Sequence, residues 1–83
     1  MIKKNIDVSV GEEGARPIAM LVQLASQFKS NIELRRDNMT VNAKSIMGMM
    51  TLGLAEGESV KVTADGADEA QAIEGIEKYL SNN

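Results

Sequence analysis

Three groups in this 83-residue chain have side chains suited to chemistry or recognition: the carboxylates Glu12 and Glu13 with Arg16 just beyond them, the hydroxyl of Ser45, and the apolar run Ile46, Met47, Met49 and Met50. A glutamate can take a phosphoryl group as an acyl phosphate, but Glu12 and Glu13 stand between Gly11 and Gly14 with no base and no cation beyond Arg16. A solvated loop is the simpler reading of that pair. Ser45, directly before an apolar stretch, reads as the N-cap of a short helix, a role worth about 1 kcal/mol. Six methionines in so short a chain either fill core gaps or form an adaptable contact surface. The chain contains neither cysteine nor histidine, which removes disulfides, thiolate metal sites, the commonest metal ligand and the commonest general base. From that inventory we expect no metal, no cofactor and no enzymatic activity.

Composition narrows the classes further. With 43% hydrophobic and 25% charged residues the chain has the balance of a folded domain, and its length accommodates one core, so residues 1–83 are expected to form a single domain. A net charge of -3, nine basic residues and only Phe28 and Tyr79 as aromatics argue against a direct nucleic-acid surface. No run approaches the roughly 18 apolar residues of a membrane span, and Met1 to Asp7 lacks the apolar core of a signal peptide, so a cytoplasmic location is expected.

The elements that must position these groups follow from periodicity. Ile2, Ile6, Val8 and Val10 share one parity and predict a strand over about 2–9. Pro17 suits the first turn of a helix beginning near Gly14 or Ala15, and Ile18, Leu21, Val22, Ala25 and Phe28 give that helix one apolar face to about Lys29. Asn31 to Arg36, the turn pair Asp37-Asn38, and Met39 with Val41 predict a hairpin. Ser45 should cap a short helix of about two turns within a segment that Glu56-Gly57 ends, Val60, Val62 and Ala64 mark a last strand, and Asp65-Gly66 turns into a helix burying Ala72, Ile73, Ile76 and Leu80. Gly48 and Gly53 are read as structural, marking a close approach or a cap. The order β-α-β-β-α-β-α gives a two-layer α+β domain.

Two segments carry a resemblance: Gly14-Ala15-Arg16-Pro17 at the first helix start and Asn42-Ala43-Lys44-Ser45-Ile46-Met47-Gly48 at the second. With Leu21-Val22-Gln23, Ala25-Ser26, Phe28, Leu52-Gly53, Gly57 and Asp65 to Ala70, the chain resembles the HPr family of the bacterial phosphoenolpyruvate:sugar phosphotransferase system over nearly its whole length. The resemblance implies an open-faced two-layer sandwich, a four-stranded antiparallel sheet covered by three helices on one face. In that family a histidine directly before Ala-Arg-Pro carries the phosphoryl group. Gly14 occupies that position here, and Gly11-Glu12-Glu13-Gly14 replaces the family's usual Thr-Gly-(Leu or Ile)-His run.

The chain is therefore most similar in pattern to Crh-like members of the family, which lack the histidine and keep the regulatory serine. By that resemblance Ser45 is the residue phosphorylated by HPr kinase/phosphorylase. Arg16, Ile46, Met47 and Met50 are then the surface that docks a catabolite control protein A-type transcription factor, with Met47 exposed. A phosphate on an N-cap serine adds roughly -1.5 to -2 charge where the helix dipole favours it. Two other functions compete: a phosphoryl carrier using Glu12, Glu13 or Ser45 as nucleophile, and a drifted paralogue that binds an enzyme or serves structure. A monomer is expected, although a first strand followed by a glycine-containing hinge can exchange between protomers to give a homodimer.

Overall fold

The computed structural model describes residues 1–9, 15–53 and 57–81, the side chains of 15–17 apart. Its elements are β1 (Ile2–Asp7), α1 (Ala15–Ser26), β2 (Asn31–Arg36), β3 (Met39–Asn42), α2 (Ile46–Leu52), β4 (Ser59–Asp65) and α3 (Glu69–Ser81), in the expected order. The strands form one sheet in the order β1-β4-β2-β3, every neighbouring pair antiparallel. The hairpin of β2 and β3 forms as the turn chemistry requires, with Arg36 opposite Met39 and Asp37 at a φ of 56°, a left-handed conformation that aspartate tolerates.

Strand parity decides what the sheet shows to each side. Ile6, Ile32, Leu34, Val60, Val62 and Ala64 are buried beneath the helices, where they meet Ile18, Leu21 and Ala25 of α1, Met49 and Leu52 of α2, and Ala72, Ile73, Ile76 and Leu80 of α3. Lys4 breaks the pattern. It shares the covered face with Ile2 and Ile6, but on the edge strand β1 its ammonium reaches Glu77 of α3 at 2.8 Å. An inward-pointing charge on an edge discourages pairing with a foreign strand.

Two boundaries differ from expectation. β1 stops at Asp7: Val8 stays buried but leaves the ladder, its N–H donating to the Glu58 carbonyl and its carbonyl accepting from Gly57. α1 ends at Ser26 because the Gln27 and Phe28 amides turn to the carbonyls three residues back, the tighter geometry common at helix ends, and the Lys29 amide is taken by Asp68. α2 has the two turns expected of it and ends at Leu52, since Gly53 adopts φ 73° and its N–H closes on the Met49 carbonyl at 2.9 Å. That conformation is cheap only for glycine.

One lock ties the end of α1 to the start of α3. Asp68 accepts from the backbone N–H groups of Lys29 and Ser30, each at 2.9 Å, and from the Ser30 hydroxyl. Chiefly the Ser30 hydroxyl, then the Lys29 amide, hold its carboxyl down at about 2, against an ordinary value of 3.8. Ser30 is buried, and it approaches Gly66 so closely that a Cβ there would lie 2.6 Å from its hydroxyl and 2.7 Å from its Cα.

Candidate functional site at the second helix

The approach to α2 is built from backbone bonds that leave Ser45 little freedom. Ala43 is buried and its amide donates to the Ile32 carbonyl; the Asn42 side-chain oxygen accepts from the Lys44 amide at 2.8 Å; the Ser45 amide donates to the Asn42 carbonyl at 3.0 Å. Lys44 is tied down as well, its ammonium donating to the Phe28 carbonyl at 2.7 Å just beyond α1. That bond satisfies a carbonyl left over where α1 ends and anchors α2 to α1, against which it packs.

Ser45 is the N-cap the sequence predicts. Its backbone is extended at φ -101° and ψ 112°, and its hydroxyl oxygen accepts from the Gly48 amide at 3.2 Å. The side chain is exposed, and this single bond uses neither its proton nor its second lone pair. A phosphoryl acceptor at this position would be open to an incoming enzyme and already fixed by the helix it caps.

The helix divides its apolar residues cleanly. Met49 and Leu52 are buried at 0% and 1% exposure, whereas Met47 is 79%, Met50 54% and Ile46 42% exposed. Core packing, the ordinary fate of apolar residues on a short helix, accounts for the first pair and not for the other three. Met20 of α1 is also exposed and was not singled out by sequence; the signal was available, because it lies off the spacing that defines the buried face of that helix. Flexible, polarisable methionine side chains suit a surface that must repack against a partner.

The remaining expected residues divide differently. Arg16 lies in the first turn of α1, but its side chain, like the whole of Gly11 to Gly14 with Glu12 and Glu13, lies outside the described residues. Among the described residues no three acidic side chains gather as a metal site would require, and no helix is long and apolar enough to cross a membrane.

Comparison with known proteins gives the same frame. The family model described as the PTS HPr component phosphorylation site matches residues 6–82. The structure of HPr-C-His from Thermoanaerobacter tengcongensis is 42% identical with a TM-score of 0.91, covering 99% of this chain and 93% of its own. The phosphocarrier protein HPr from Bacillus anthracis is 39% identical with a TM-score of 0.91, covering 95% of each chain. The catabolite repression protein Crh of Bacillus subtilis, described as a swapped, intertwined dimer, is 38% identical with a TM-score of 0.79, covering 100% of this chain and 97% of its own.

Proposed function

The chain belongs to the HPr family, and we propose that within it the protein is a regulator and not a carrier: Ser45 is phosphorylated and partners dock on α2, with no phosphohistidine formed. The observation that carries this reading is the coincidence of an exposed serine N-cap with exposed Ile46, Met47 and Met50 on a chain that has no histidine. The imidazole is the nucleophile of the family's carrier chemistry, and Gly14 offers none. The paired glutamates at 12 and 13 would moreover repel an incoming phosphoryl group.

In the proposed reaction the Ser45 Oγ attacks the γ-phosphorus of ATP on HPr kinase/phosphorylase, losing its proton as ADP departs. The ester adds about -1.5 to -2 charge beside an apolar patch. Lys44, held by the Phe28 carbonyl, is engaged elsewhere, so the new charge stays available to a basic group of the partner. A catabolite control protein A-type transcription factor is the proposed partner, with Arg16 completing the surface at the start of α1. The protein then acts in the cytoplasm as a binding module without catalysis of its own.

The test is phosphate mapping after incubation with HPr kinase/phosphorylase and ATP. We expect label on Ser45 in the parent and none in Ser45→Ala; equal labelling of the two would refute the assignment. We also propose a monomer that exchanges β1 to form a homodimer. Supporting that reading, β1 is an edge strand whose ladder partner among the described residues is β4 alone.

A further inference from the structure

The face of the sheet that no helix covers is polar throughout, and its charges are unevenly spent. Lys3 and Thr63 stand opposite each other across β1 and β4, Thr63 and Glu33 across β4 and β2, Lys61 and Arg35 one row further on, and Arg35 opposite Thr40 on β3. These six residues and Met1, whose amine is paired with Glu69 and Asp65, line one recess of about 210 Å³. Like charges directly opposite in an antiparallel pair repel, so Lys61 against Arg35 is a local cost with no return in packing on an exposed face. Neither residue, nor Lys3, has a carboxylate within ion-pair distance among the described residues; the cations in ion pairs there are the Met1 amine, Lys4, Arg36 and Lys78. Arg35 has turned its Nε to the Asp37 carbonyl at 3.2 Å and not to Glu33. Three unpaired cations against the one carboxylate of Glu33 leave a surplus of positive charge in a chain whose net charge is -3.

We propose that this recess binds a compact, multiply charged oxyanion, the diphosphate or bisphosphate part of a free small molecule. Lys3 and Lys61 approach as point charges, Arg35 offers a planar fork of donors, and the hydroxyls of Thr40 and Thr63 complete a set of groups able to hydrogen-bond phosphate oxygens. Bound anion would also relieve the Lys61 and Arg35 repulsion, which gives the arrangement a reason to exist. The volume corresponds to roughly seven waters, the scale of a phosphate cluster and not of a large organic ligand. An adjoining recess of about 340 Å³ shares Glu33 and Thr63 and adds Asn31, Asn42 and Asp65, groups that would hydrogen-bond hydroxyls on the remainder of the molecule. The site is independent of Ser45 and of the docking helix, which lies on the covered side.

Titration of the full chain with inorganic pyrophosphate, followed by amide chemical shifts, tests the proposal. Saturable shifts should centre on Lys3, Arg35, Thr40, Lys61 and Thr63. Lys61→Gln and Arg35→Gln should each weaken binding about tenfold, and Glu33→Gln should strengthen it by removing the opposing charge. Shifts that never saturate, that centre elsewhere, or that are indifferent to all three substitutions overturn it; these exposed residues can be changed without unfolding the chain, which the unperturbed spectrum of each variant will show.

Discussion

Ser45, Asp68 and Gly66 show three different demands on a single side chain. Ser45 caps α2 with one hydrogen bond to the Gly48 amide, so Ser45→Ala should lower unfolding free energy by about 1 kcal/mol in denaturant titration, a measurable effect that leaves the fold intact. Asp68 has a folded-state value near 2, below its ordinary 3.8. Its contribution is therefore complete above about pH 4, where it is ionised in both states, and is lost as pH falls toward 2 while the unfolded chain takes up the proton first. Asp68→Asn should lower stability at neutral pH and flatten the fall in stability between about pH 4 and 2, read from denaturation midpoints across that range. Gly66→Ala places a methyl within 2.7 Å of the Ser30 backbone, which cannot yield without disturbing both amide bonds to Asp68. A loss of about 1–3 kcal/mol follows, and a variant as stable as the parent would contradict the close approach.

Within the elements, α2 is where buried and exposed apolar residues separate. Met49→Ala empties a fully buried site and should cost about 2–5 kcal/mol, whereas Met47→Ala, on the same helix and 79% exposed, should change stability by less than about 0.5 kcal/mol while, under the proposed function, weakening partner docking. Thermal or chemical denaturation of the two variants distinguishes them directly. The helix itself was legible: a serine before an apolar run announced the cap, and period-two residues announced each strand. Its length of about two turns was legible as well, and Gly53, read as a close approach or a cap, is the cap that stops it at φ 73°. The end of α1 was hidden. Phe28 continues the helical spacing, but Asp68, about forty positions away in the chain, claims the Lys29 and Ser30 amides, and no local pattern reports such a partner. Lys4 is the same kind of case, a lysine at a core-facing strand position explained only by Glu77 on α3.

At the scale of the whole molecule, the sheet separates two surfaces of different chemistry, for which different uses are proposed. The helix-covered side presents Ser45 with the exposed Met47 and Met50, and the bare side presents the unpaired cations of β1, β2 and β4, whose grouping depends on a strand order in which β4 lies between β1 and β2. Ser45, Ile46, Met47 and Met50 could be singled out in the sequence because they are neighbours in the chain, and they are exposed; the second surface exists only once the register brings Lys3, Arg35 and Lys61 together. The central claim is that this member of the HPr family accepts phosphate as a regulator and does not relay it. It is tested most directly by intact mass after parallel incubations, one with HPr kinase/phosphorylase and ATP, the other with enzyme I and phosphoenolpyruvate. A single phosphoryl gain at Ser45 in the first and none in the second is the result expected. A gain from phosphoenolpyruvate would contradict the account and point to a nucleophile other than histidine near Gly14.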